Sequence, residues 1–99
     1  MADRIRMSQS EMKSAAKIAK DTAGKQGEVI TTMNNLLKTL GKSWEGDAFK
    51  GYEARYNTIK KYLISAQDLL KEINQNLLKT AKIMEDTDKK IGAQYKSNG

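Results

Sequence analysis

The chain contains no cysteine, no histidine and no proline. Without cysteine there is no disulfide scaffold, no thiol chemistry and no thiolate zinc site. Without histidine the commonest general base and the commonest metal ligand are both missing. A metalloenzyme and a Ser-His-Asp hydrolase are therefore excluded. The absence of proline fits long unbroken helices, because a proline inside a helix costs roughly 3 kcal/mol. No apolar run approaches the roughly 20 residues needed to span a membrane. The first seven residues also lack the apolar core of a signal peptide. The expectation is synthesis in the cytoplasm, without a signal peptide, and any export by a route other than the ordinary secretory one.

What is present is charge and helical periodicity. The chain has 99 residues, so one domain is expected, and 18 Lys plus Arg against 12 Asp plus Glu give a net charge of +6. Ser8-Gln9-Ser10-Glu11 has the form of a capping box, and Met7 and Met12 have the spacing of a hydrophobic staple around it. A heptad seam then follows: Met12, Ala16, Ala19, Ala23, Gln26, Ile30, Met33, Leu37, Leu40 and Trp44. Its first half is mostly alanine and its second half is bulky. Gly24 and Gly27 mark a weak point or bend in mid-helix, each costing about 1 kcal/mol relative to alanine.

Gly41 to Asp47 reads as a turn. Gly41 or Gly46 suits the left-handed position that ends a helix, and Asp47 suits an N-cap. A second, longer seam begins one turn after Phe49: Tyr52, Tyr56, Ile59, Leu63, Ala66, Leu70, Ile73, Leu77, Thr80, Met84, Thr87 and Ile91. The pattern predicts an all-α protein, an antiparallel two-helix hairpin forming one domain over residues 1–99. Helix 1 is expected at about 8–41, the turn at about 42–47, helix 2 at about 48–92 and a frayed tail at 93–99. Met33, Leu37, Leu40, Tyr56, Ile59, Leu63, Leu70, Ile73 and Leu77 are the expected core and dimer residues. A two-helix layer buries only one side of each helix, so association into a dimeric four-helix bundle is expected.

Enzymatic chemistry finds little support. The paired carboxylates, Asp47 with Glu53 and Glu85 with Asp86, lie on helix surfaces where a ligand-sized concavity is hard to build. No catalytic residue, metal ligand or cofactor is assigned. The basic balance raises nucleic acid or anionic lipid as partners. The lysines are scattered among acids, however, and arginine is confined to Arg4, Arg6 and Arg55. Aromatics do not alternate with the lysines as a single-strand binder requires. No specific nucleic-acid partner is expected.

A helical hairpin of about a hundred residues with Trp44-Glu45-Gly46 in its central turn resembles the WXG-100 (ESAT-like) family. The resemblance covers nearly the whole chain. It implies a C-terminal export motif of a hydrophobic residue, an acid four on, a hydrophobic three on and another four after that. Met84, Asp88, Ile91 and Tyr95 fit this spacing. Met84 stands where a narrower form has tyrosine, which fits a Gram-positive firmicute-type system better than a mycobacterial one. The resemblance implies a secreted, non-enzymatic substrate of type VII (ESX/Ess) secretion, acting as a virulence- or competition-associated effector or as a machine component. It implies a dimer, a homodimer or a heterodimer with a related protein, that engages an FtsK/SpoIIIE-type ATPase. Trp44 and Gly46 of one protomer would combine with the C-terminal motif of its partner. The runner-up is a helical partner or chaperone subunit for a larger exported toxin. Plainer roles stand beside these: Trp44 as an aromatic cap on the core, Gly46 as a helix terminator, Met84 and Ile91 as core, and Asp88 as a solvated acid.

Overall fold

The computed structural model describes residues 6–98, with side chains described up to residue 93. Two helices make up the fold: α1, Gln9–Gly41, and α2, Asp47–Asn98. They pack against each other as an antiparallel hairpin measuring 79 × 27 × 14 Å. The long axis is α2 itself, since its 52 residues at about 1.5 Å each give about 78 Å.

The start of α1 is fixed locally. Ser8 is the N-cap, with an extended backbone, and its Oγ accepts from the Glu11 N–H at 3.1 Å. The Ser8 hydroxyl also donates to the Glu11 carboxylate at 3.1 Å. Glu11 thus closes the box through the cap's side chain rather than its backbone. Met7 and Met12 line one groove with Ile73 and Leu77, which completes the staple against α2. The helix then runs unbroken through Gly24 and Gly27.

The α1 seam holds as far as Leu40, while Trp44, read as its last member, lies beyond the helix and is exposed. Met12, Ala16, Ala19, Ala23 and Ile30 are buried, and Gln26, Met33, Leu37 and Leu40 are half-buried. The α2 seam is only half as expected. Tyr56 is buried, and Leu63, Leu70, Leu77 and Met84 are half-buried, at steps of seven. Between them the hairpin uses Lys60, Gln67, Asn74 and Ala81. Ile59 and Ile73 are exposed, at 52% and 39%, and Ala66 is exposed too. The shift of one residue rotates that part of the face by about 100°.

The reason lies in what α1 presents. Its alanines cover little of their own backbone, so α2 amides reach the carbonyls behind them. Asn74 Nδ2 donates to Ala16 O at 2.7 Å, and Gln67 Nε2 donates to Ala23 O at 3.0 Å. Seven residues further along α1, at the bulkier Ile30, a longer side chain makes the same kind of contact. Tyr56 Oη lies 3.2 Å from Ile30 O and 2.9 Å from Asn34 Oδ1. Gln26 Nε2 answers from α1 to Leu63 O at 3.4 Å. These side chains form polar rungs across the seam.

Gly27 makes one rung possible. A Cβ there would lie 2.7 Å from Gln67 Nε2. The glycine read as a weak point is therefore a place of close approach.

The far end of α2 departs from expectation. The helix continues to Asn98 rather than ending near 92 in a frayed tail. Gly92 alone does not stop it, since one interior glycine costs only about 1 kcal/mol and no proline follows.

Candidate functional site

The turn occupies residues 42–46 and is built by backbone bonds. The amides of Ser43 and Trp44 both donate to Leu40 O, at 3.2 and 2.9 Å. Gly46 has φ +142°, a conformation glycine adopts without strain. Its carbonyl accepts from the Lys50 N–H at 3.1 Å, the first intrahelical bond of α2. Gly46 is thus the N-cap of α2, not the terminator of α1, and Asp47 is the first helical residue. The positive end of the helix macrodipole favours an acid at Asp47.

Trp44 stands at this tip, 39% exposed. Its ring centroid lies 6.0 Å from Phe49 in a tilted arrangement and 5.9 Å from Tyr52 edge to face. Such pairs contribute about 0.5–1.5 kcal/mol beyond their buried area. Phe49 is buried against Gly41, where a Cβ would meet its ring at 3.1 Å. The last glycine of α1 therefore seats Phe49, Phe49 supports Trp44, and the indole remains accessible.

The second group lies at the opposite end. Met84 is half-buried, while Asp88 and Ile91 are exposed. The side chain of Tyr95 lies outside the described residues. Asp88 sits ten residues before the end of α2, so the unfavourable helix C-terminus does not act on it directly. Two of the neighbouring lysines pair elsewhere. Lys82 binds Asp86 at 3.2 Å and Lys89 binds Glu85 at 3.3 Å, both one turn apart on the helix. Asp88 instead accepts from Gln9 Nε2, at 2.8 Å, across to the first residue of α1. Glu85 has its carboxyl held below the usual glutamate range, first by the hydrogen bond from Lys89, then by the charges of Lys89, Lys13 and Lys82.

The two groups do not meet within one chain. From Asp47 to Asp88 the helix rises about 62 Å. The hairpin therefore carries one candidate group at each end.

A third feature is an apolar surface on α2. Tyr52, Ile59, Ala66 and Ile73 recur every seven residues, and Tyr62, Leu69 and Ile83 lie along the adjoining row. All are exposed. On α1, Val29 and Leu36 are also exposed. Among the described residues, no group of three or more acidic, histidine or cysteine side chains is placed to hold a metal ion. Within the same residues no helix is long and apolar enough to cross a membrane.

Sequence reasoning missed Gln9 and Lys13 as neighbours of the C-terminal acids, and it missed the rungs Gln67 and Asn74. The rungs had a signal: two amide residues seven apart, in a helix opposite alanines seven apart.

Comparison with known proteins adds the following. Residues 4–89 match a family described as proteins of 100 residues with WXG. An ESAT-6-like protein of Streptococcus agalactiae is 35% identical over 92 residues, covering 91% of this chain and 94% of the other. The type VII secretion system extracellular protein A of Staphylococcus aureus is 21% identical, covering 92% and 94%. The crystal structure of EsxA from Geobacillus thermodenitrificans superposes with a TM-score of 0.81 at 28% identity, covering 92% of this chain and 98% of that one.

Proposed function

Because the chain belongs to the WXG100 family, we propose that it is a small, non-enzymatic helical protein exported by a type VII (ESX/Ess) secretion system of a Gram-positive bacterium. Trp44 carries the reading. The residue that defines the family motif is held at the hairpin tip on Phe49 and Tyr52 with its indole accessible, not sunk in the core. A Staphylococcus aureus relative bears the name of a type VII extracellular protein, which supports the same route.

The protein is exported as a folded dimer. The exposed rows of Tyr52, Ile59, Tyr62, Leu69 and Ile73 are what a second copy covers. Monomers rarely leave contiguous apolar patches beyond a few hundred Å² open to water. Burying one large aliphatic side chain contributes roughly 1.5–3 kcal/mol. An antiparallel two-fold arrangement of hairpins brings Trp44 and Gly46 of one protomer to the partner's C-terminal end. There Met84, Asp88, Ile91 and Tyr95 complete a composite signal for an FtsK/SpoIIIE-type ATPase. The separation of about 62 Å within one chain is what makes the second copy necessary.

Fractionation of host culture tests this. Wild type is expected in the medium, and folded Trp44→Ala and Asp88→Ala variants in the cell pellet, beside a cytosolic lysis marker. Wild-type protein confined to the pellet would sink the export reading. A stoichiometric heterocomplex with no homodimer would replace it with the partner-subunit role.

A further inference from the structure

The first turn of α1 lies against the acidic segment of α2. Gln9, the first helical residue, donates from Nε2 to Asp88 Oδ2 at 2.8 Å across a sequence separation of 79. One turn further into α1, Lys13 is close enough to Glu85 to act on its charge. The hydrogen bond from Gln9 is thus the direct contact here, and Lys13 adds a longer-range positive charge to the same acidic segment. Gln9 is held in place by the Ser8 cap before it and the Met7–Met12 staple around it. Lys89 beside Asp88 is engaged with Glu85, Lys82 pairs with Asp86, and among the described residues no salt bridge joins either of them or Lys90 to Asp88. The Gln9 amide is thus what fixes the Asp88 carboxylate.

We infer that Gln9 is a positioning residue for the C-terminal export motif: its amide holds the Asp88 carboxylate, so the start of α1 sets how the end of α2 is presented. This rests on the export reading proposed above. The motif is then not a property of α2 alone. Residues 89–98 lie beyond this contact, and the Gln9–Asp88 bond is the last described tie before them.

Charge-changing variants at Gln9 separate this role from a structural one. A helix N-terminus favours an acid and disfavours a base. If Gln9 merely stabilises α1, Gln9→Glu is as good as wild type and Gln9→Lys is worse. If it positions Asp88, the ranking reverses. Glutamate removes the donor and sets a like charge against Asp88, whereas lysine restores a donor.

The experiment measures amide hydrogen exchange over residues 85–92 of the full-length protein and the fraction exported from host culture. For Gln9→Glu we expect exchange faster by about two- to fivefold and export lower by a similar factor, the scale of an exposed charge-assisted contact. For Gln9→Lys both stay at wild-type level. Unchanged exchange in Gln9→Glu, or Gln9→Lys as the worse variant, overturns the positioning role while leaving export of wild type intact. Wild type missing from the medium overturns the export reading and this role with it, whatever the exchange shows.

Discussion

The two halves of the hairpin solve the same packing problem with opposite materials. In the half away from the turn, α1 offers Met12, Ala16, Ala19 and Ala23, all buried, and Ala81 of α2 is buried too. In the half near the turn it offers Met33, Leu37 and Leu40, all only half-buried. The small residues seal completely because the neighbouring helix closes over them, and its amides grip the backbone. Ile30, Phe49 and Tyr56 are buried there, but Met33, Leu37 and Leu40 stand too tall for a two-helix layer to cover. Bulk therefore does not measure how much core a position makes. On α1 the alanine half is sealed by the hairpin and the bulky half is not, while α2 leaves apolar residues open in both halves, Tyr52 and Ile59 near the turn and Leu69 and Ile73 away from it.

The sharpest way to break this comparison is to shrink one large residue in each half. Met12→Ala removes a fully buried side chain and is expected to cost about 2–5 kcal/mol. Leu37→Ala, at a half-exposed position, is expected to cost well under half of that. Denaturant unfolding at concentrations too low for association checks both. Equal costs would show that the halves are not different in kind.

Enlarging the small half comes next. Ala16→Leu forces a bulky side chain into a fully buried site and covers the carbonyl that Asn74 reaches. A loss of about 1–3 kcal/mol is expected from overpacking, read as a lower denaturation midpoint. Gly27→Ala is gentler. The gain in helix propensity, about 1 kcal/mol, is set against displacement of the Gln67 amide, whose bond contributes about 1 kcal/mol. A change within about 1 kcal/mol of zero is expected. The Ala23 carbonyl should then lose its side-chain partner, visible as a shift of the Gln67 amide resonances.

The smallest effect is acid sensitivity at the far end. Glu85 has its carboxyl lowered in the folded state, chiefly by Lys89. Its contribution is therefore present above the ordinary glutamate range and is lost as pH falls through the lowered value. Glu85→Gln should flatten the acid limb of the stability curve slightly and change nothing at neutral pH beyond the pair itself. Helicity monitored against pH for the two proteins reads this directly.

The start of α1 was legible because its signals are local: cap, box and staple lie within six residues, Met7 to Met12. The α1 seam was legible because its apolar face and its hairpin face coincide. On α2 they do not. Ile59 and Ile73 continue the apolar pattern, but the hairpin takes Lys60, Gln67 and Asn74. A periodicity search finds hydrophobic surface and cannot tell which neighbour will cover it. Gly46 was legible as a special backbone position but not as the cap of α2, because a glycine with positive φ can either stop one helix or start the next. Of the candidate site, Trp44, Gly46 and Asp88 were singled out through the resemblance to a family motif. Gln9 did not, because one polar contact between residues 79 apart leaves no periodic trace.

The rungs across the seam are also an order of mechanical failure. The start of α1 and the end of α2 lie at the same end of the hairpin. A pull on residues 89–98 against a held α1 therefore peels the helices apart rather than shearing them. Gln9–Asp88 takes the load first, then Asn74–Ala16, then Gln67–Ala23, then Gln26–Leu63, and last Tyr56–Ile30, the rung nearest the turn. Each rung bears the force alone and yields before the next is stressed. A force applied to the tail would meet a series of small resistances, whereas the same force applied along the helices would meet all the rungs at once.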